Sequence, residues 1–145
     1  MSQLTMTQAE REAFLAGVHV GVVGVDDRDR APLTVPVWYA YAPGGEVRFI
    51  TGGDSRKARC LEQAGRASLC AQTETAPYQY VSVEGPVTID PRVDPVERRA
   101  IARRYLGVEL GDAYAEATAA DAAGSVTVRL LPEHWLTVDY GKVYG

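Results

Sequence analysis

Apolar residues recur along most of this chain at two-residue spacing, in short runs separated by Gly, Pro and Asp. The longest run is YQYVSVEGPVTI, residues 78–89. Val81, Val83, Val87 and Ile89 fall on one face, with Gly85 between them. Tyr80, Ser82, Glu84 and Thr88 fall on the other, along with Pro86. That alternation predicts a strand with one polar side, and Pro86 predicts an edge or a bend in it. Further β-rich runs predict strands over residues 18–25, 33–41, 46–51, 67–71, 126–131 and 135–140. Gly21 and Gly24 in the first of these predict a bulge or a close backbone approach. Pro36 cannot donate to a ladder, so it marks an edge, a bulge or a groove. The charged run DDRDR, residues 26–30, reads as an exposed turn.

Helical signals are fewer. Thr7 and Glu10 form a capping-box pair and predict a helix over residues 8–16, with Phe14 and Leu15 inward and Gly17 ending it. A second helix follows Gly52-Gly53 and runs to about residue 63. Asp94, Pro95 and Glu97 start a third through cap, first-turn proline and acid. Val96, Ala100, Ile101 and Tyr105 give it an inward face, which leaves Arg98, Arg99, Arg103 and Arg104 as a solvated face or, in the alternative, as a cluster that could bind an acidic tail. An alanine-rich helix over residues 112–123 ends at Gly124. Strands that are numerous and mostly sequential, interrupted singly by helices, predict an α+β, mainly β fold. Its form is an antiparallel barrel with peripheral helices rather than a doubly wound parallel sheet.

Composition narrows the class. At 145 residues the chain is expected to form one domain, spanning residues 1–145, with a core that needs neither metal nor disulfide. A net charge of −4 excludes a basic body for nucleic acid, so no nucleic-acid partner is expected. No apolar run reaches membrane-spanning length and the N-terminus has no signal-peptide layout. A cytoplasmic protein without a membrane partner is the expectation. Cys60 and Cys70 read as reduced core residues. His19 and His134 lack metal-ligand spacing, so no metal site is expected.

Against that acidic background one stretch stands out: FITGGDSRKARC, residues 49–60. A strand ends at Thr51, two glycines turn the chain, and Asp54 or Ser55 caps a helix that opens with Arg56, Lys57 and Arg59. A helix start carries free N–H groups and partial positive charge, so cations there suit an anion such as phosphate. The plainer reading is a basic first turn on a solvated helix. It leaves unexplained why cations sit at the end of the dipole that disfavours them.

The same residues carry a resemblance. FITGGDSRKA, residues 49–58, resembles the phosphate-binding segment of the pyridoxamine-phosphate-oxidase-like split β-barrel family. YVSVEGPVTI, residues 80–89, is similar to that family's long central strand. RLLPEHWLTVDYGK, residues 129–142, resembles the end of its actinobacterial members. The resemblance implies a split barrel, a homodimer with its cofactor at the subunit interface, and a phosphate held through Ile50, Thr51, Ser55, Arg56 and Lys57. Departures choose within the family. FMN-binding oxidases carry Arg and Lys on the strand before the turn, where this chain has Val35, Pro36, Val37 and Trp38. It also lacks the Arg-x-His-type segment that holds the pyridoxine phosphate. A Pro-Val-Trp-Tyr strand followed by Ser-Arg-Lys-x-Arg is similar to the branch that uses coenzyme F420, a deazaflavin with a phosphate and an oligoglutamate tail. Arg59 fits the longer anion.

What the resemblance implies is an F420-dependent oxidoreductase passing a hydride to an electron-poor, conjugated C=C acceptor. Tyr80 of one subunit would close the cofactor site of the other. Tyr78, Tyr80 or solvent would supply the proton, and Trp38, Tyr78 and Tyr80 would line a groove for a flat substrate. FMN is the alternative cofactor. A non-catalytic carrier, or a domain binding a tetrapyrrole or lipid, is the alternative outside enzymology.

Overall fold

A computed structural model describes residues 3–144. The elements are α1 (Gln8–Ala16), β1 (Gly21–Asp27), β2 (Arg30–Val37), β3 (Val47–Gly52), α2 (Arg56–Ala64), β4 (Arg66–Gln72), β5 (Gln79–Asp90), α3 (Pro95–Leu106), α4 (Val108–Ala117), a 3₁₀ turn (Ala119–Gly124), β6 (Ser125–Leu130), β7 (His134–Asp139) and the short α5 (Gly141–Tyr144). Among the described residues the strands run antiparallel in the order β2-β1-β4-β5-β6-β3, with β7 also on β5. The sheet curls around its core, and the fold is a split β-barrel with peripheral helices, α+β and mainly β.

The long strand β5 is the hinge of this architecture. Its first half, Gln79 to Glu84, pairs with β7, and its second half, from Val87, pairs with β6. The switch falls at Gly85-Pro86, where Leu131 N–H donates to the Pro86 carbonyl and Glu133 N–H to that of Glu84. A Cβ at Gly85 would sit 1.7 Å from the Leu131 oxygen, so only glycine fits. The bend expected at Pro86 is therefore a change of partner strand.

The barrel core is filled by Val23, Val25, Val81, Val83, Phe49, Leu69, Val128 and Leu130, with Leu15 of α1 closing one end. The Tyr39 hydroxyl donates to the Leu15 carbonyl at 2.7 Å, which satisfies a fully buried phenol. That lack of exposure pushes its ionisation well above the usual tyrosine range.

Several boundaries differ from the sequence expectation. The first strand starts at Gly21, not residue 18. His19 stacks on Phe14 and its Nε2 lies 3.0 Å from the Phe14 carbonyl, which holds residues 18–20 as a link off the helix end. Asp27 and Arg30 pair across a tight turn at Arg28 and Asp29, so β2 begins earlier and ends at Val37. Beyond it the Tyr39 N–H donates to the Tyr105 hydroxyl rather than to a ladder. The inward face of α3 is Ile101 and Ala102, whereas Val96 is 74% exposed. Helix α4 starts directly after Gly107, whose φ of +85° reverses the chain, and Gly111 lets it close onto the backbone of Ala102 and Arg103. The alanine-rich stretch thus splits between α4 and the 3₁₀ turn.

Two of the α3 arginines, Arg99 and Arg103, keep exposed side chains, and all four make bonds within the protein. Arg99 and Arg103 share Asp112, at 3.0 and 2.6 Å, and the Arg104 Nη2 donates to the Ala16 and Gly17 carbonyls. Cys60 is buried and Cys70 half-buried, both as free thiols. No helix among the described residues is long and apolar enough to cross a membrane.

Candidate functional site

The split in the barrel lies between the ends of β2 and β3. Among the described residues the two segments pair at an isolated bridge between Ala40 and Arg48, with N···O distances of 2.8 and 2.9 Å. Past that bridge they separate, and the α3–α4 hairpin stands over the gap. A cavity of about 440 Å³ fills it. One wall is Pro36, Val37 and Trp38; a second is Ile50, Thr51 and Gly52. Helices α3 and α4 contribute Arg98 and Tyr114, the 3₁₀ turn contributes Asp121, and Ser125 and Lys57 complete the lining.

Local chemistry explains why Lys57 stands there. Gly53 N–H donates to the Gly124 carbonyl at 2.8 Å, which pins the turn after β3 to the start of β6. The Ser55 hydroxyl donates to the Gly52 carbonyl and accepts from the Ala58 N–H, capping α2. Lys57 in the first turn of α2 is then half-buried at the cavity wall. It has no hydrogen bond or ion pair among the described residues. Burial alone pushes its ammonium below the usual lysine range.

The neighbouring cations are engaged elsewhere. Arg56 Nε donates to Asp27 Oδ2 at 3.0 Å and its Nη2 makes a further contact to the same oxygen. The guanidinium and the Cys60 thiol beside Asp27 hold its carboxyl below the usual range. Arg59 Nη1 donates to the Asp54 carbonyl at 2.7 Å. Neither arginine lines the cavity, and each has a partner within the protein.

Of the other residues expected at the site, Pro36, Val37, Trp38, Ile50, Thr51 and Lys57 come together around the cavity. Val35 packs against the core instead, and Ser55 serves as the cap. Tyr80 lies on the opposite face of β5 from the buried Val81 and Val83, between Gln72 and Val138. Tyr78 and Tyr80 do not line the cavity; Tyr114 does.

Trp38 packs flat on Tyr105 of α3, and Tyr114 tilts against it at 5.3 Å between centroids and 55° between planes. Arg98 donates from Nη1 to the Ala115 carbonyl at 2.9 Å and from Nη2 to that of Thr118 at 2.8 Å, capping the end of α4. Sequence reasoning did not separate Arg98 from its neighbours because four arginines circle α3. It missed Asp121 because a lone carboxylate among alanines carries no spacing signal. Chemically, the cavity lining combines the aromatic rings of Trp38 and Tyr114 with an unpaired ammonium. That combination suits a planar ring joined to an anion.

This fold and this cavity define a split-barrel protein with a site between strand ends. Residues 7–139 match the family described as pyridoxamine 5'-phosphate oxidase, and the chain belongs to that family. Among solved structures, it is similar to a conserved hypothetical protein, Rv2991, from Mycobacterium tuberculosis. The two are 23% identical with a TM-score of 0.78, over 99% of this chain and 91% of that one. A structure titled F420 reductase is 24% identical with a TM-score of 0.70, over 86% of this chain and 94% of that one. The FAD and heme binding protein from Mycobacterium smegmatis is 14% identical with a TM-score of 0.66, over 95% of this chain and 73% of that one. No curated protein matches the sequence.

Proposed function

We propose that this protein is an oxidoreductase that binds coenzyme F420 in the cavity between β2 and β3, with the phosphoryl group at Lys57. The observation that carries the reading is Lys57 itself: a half-buried ammonium without a partner, at the wall of a cavity. Burying an unpaired charge is costly, and a bound anion offsets that cost. Family membership and the likeness to a structure titled F420 reductase support the choice of cofactor.

When bound, the deazaflavin supplies a hydride for an electron-poor, conjugated C=C acceptor. The chain's own part is binding and orientation. Lys57 holds the anion, and the buried Thr51 hydroxyl stands on the strand end beside it. Trp38 and Tyr114 present the aromatic wall against which a flat acceptor packs. The α3–α4 hairpin limits the access of water to the gap.

The active form in this proposal is a homodimer. The outer sheet face supports it, since Val22, Cys70, Ser82 and Leu136 lie in one row across four strands. Val22 and Leu136 are 41% and 62% exposed on that row. Exposed Val20, at the cavity mouth, joins the face to the site. A second copy seated there brings Tyr80 toward the neighbouring cavity.

Equilibrium titration with F420 and with FMN tests the proposal. Lys57→Ala should weaken F420 binding roughly ten- to hundred-fold, the equivalent of about 1.5–3 kcal/mol for a charge-assisted hydrogen bond. An unchanged dissociation constant in a folded variant removes the reading. Yellow protein that retains FMN through purification assigns the cavity to the flavin instead. Tight binding with no turnover across an acceptor screen would mark a carrier.

A further inference from the structure

We propose that Asp121, with the rings of Trp38 and Tyr114, forms a subsite for a flat cationic ring, and that the acceptor is a C=C conjugated with a positively charged nitrogen, of the N-alkylpyridinium or N-alkylquinolinium type. The acceptor role rests on the oxidoreductase reading above; the cation subsite goes beyond it.

Asp121 is the carboxylate in the cavity lining. Its side chain makes no hydrogen bond or ion pair among the described residues, although Lys57 and Arg98 line the same cavity. The backbone that carries it is fixed. The Asp121 N–H donates to the Thr118 carbonyl at 3.0 Å, and the Asp121 carbonyl accepts from the Ser125 hydroxyl at 2.8 Å. Arg98 is committed elsewhere, to the carbonyls of Ala115 and Thr118 and to the Thr118 hydroxyl. It therefore ends α4 and leaves the carboxylate unneutralised.

The same run of backbone carries an aromatic ring. The Thr118 N–H and hydroxyl donate to the Tyr114 carbonyl at 3.0 and 2.7 Å, which ties the turn of Asp121 to Tyr114. The Tyr114 ring tilts at 55° against Trp38, whose opposite support is the flat stack on Tyr105. Trp38 and Tyr114 thus offer π surface beside a free negative charge. A ring face attracts a cation through its quadrupole and the carboxylate adds a Coulombic term, whereas a neutral ring gains only the stacking. Lys57 opposes a cation while it is free, and an anion bound to it removes that opposition.

The chemistry of such an acceptor fits the lining. Hydride addition at the far carbon of the C=C forms one C–H bond, the π pairs shift toward nitrogen, and the positive charge is cancelled. The acceptor gains two electrons with the hydride from reduced F420, and the accompanying proton leaves to solvent. No proton donor to carbon is required, and the two tyrosines expected in that role, Tyr78 and Tyr80, lie outside the lining. The neutral product loses its attraction to Asp121, which favours release.

The test uses N-methylquinolinium and 1-methylnaphthalene, which share one shape and differ by one charge. Both are titrated into the full chain and into Asp121→Asn in low salt near neutral pH, followed by the NMR shift of the Trp38 indole N–H. Asp121 is exposed, so this substitution is expected to leave the fold intact. Asp121→Asn should weaken quinolinium binding about fivefold, the scale of a solvent-exposed ion pair, and leave the naphthalene constant within about twofold. High salt should shrink the difference in the parent. Equal effects on both probes, or none on the quinolinium, overturn the proposal. With reduced F420 supplied, Asp121→Asn should lower kcat/KM for N-methylacridinium about fivefold and leave that for a neutral quinone within about twofold. Equal losses overturn the acceptor assignment. A parent that shows the quinolinium preference and does not bind F420 supports the subsite and overturns the coenzyme reading, so the two failures are distinguishable.

Discussion

Trp38 lies flat on Tyr105, with ring centroids 5.2 Å apart and planes 7° from parallel. This stack joins the last residues of the β2 segment to α3 and fixes how far the α3–α4 hairpin stands from the barrel. The Tyr105 hydroxyl strengthens the joint. It donates to the His19 carbonyl at 2.7 Å and accepts the Tyr39 N–H at 3.1 Å. One phenol thus satisfies backbone groups from two separate segments where no ladder reaches.

Tyr105→Phe is expected to keep the stack and lose both hydrogen bonds. The cost should be about 1–2 kcal/mol, since a partly buried donor and acceptor are left unpaired. Ligand affinity should stay close to that of the parent. Tyr105→Ala should lower both, because it removes the surface on which Trp38 rests. Urea unfolding and ligand titration on the two variants separate the effects.

Gly85→Ala should be among the most damaging single substitutions. Its Cβ would overlap the Leu131 oxygen at 1.7 Å, and that oxygen belongs to backbone tied to Pro86 through the Leu131 N–H. Relief requires β5 to part from the β6–β7 connection, at about 3 kcal/mol. A shift in unfolding free energy below about 1 kcal/mol would show that the strand switch is looser than described.

Lys57 gives a pH signature on the alkaline side. Its ammonium loses its proton below the usual value of 10.5, because burial penalises the charged form. The neutral amine attracts an anion less, so ligand affinity should fall as pH rises through the free-protein value. The fall should approach tenfold per pH unit. Isothermal titration from pH 7 upward in buffers of different ionisation heat detects the accompanying proton uptake. A flat profile to pH 10.5 would separate Lys57 from binding.

Asp112 gives a signature on the acid side. The hydrogen bonds from Arg103 and then Arg99 hold its carboxyl at about 2, against an ordinary 3.8. A depressed folded value means that the stabilisation is present above 3.8 and is lost as pH falls toward 2. The α3–α4 hairpin should loosen in that window. Asp112→Asn should be less stable at neutral pH and show a smaller acid-induced loss, read by far-UV circular dichroism against pH.

Much of this protein is written locally in its sequence. The alternation of Val81, Val83, Val87 and Ile89 specifies β5, Thr7 with Glu10 and Asp94 with Pro95 specify two helix starts, and Gly52-Gly53 with Ser55 specifies the turn into α2. These signals act over a few residues, through side-chain period and hydrogen bonds to nearby N–H groups, so they can be read without the fold. The destinations of the charged side chains were decided elsewhere. Arg56 meets a carboxylate 29 positions earlier, Arg98 bonds carbonyls 17 and 20 positions later, and Arg104 reaches back 88. A long cation can turn to any partner within several ångströms, and which partner lies there depends on strand order and helix crossing. The sequence therefore determined that cations gather after β3. Tertiary structure decided that Lys57 is the one among Arg56, Lys57 and Arg59 left facing the cavity.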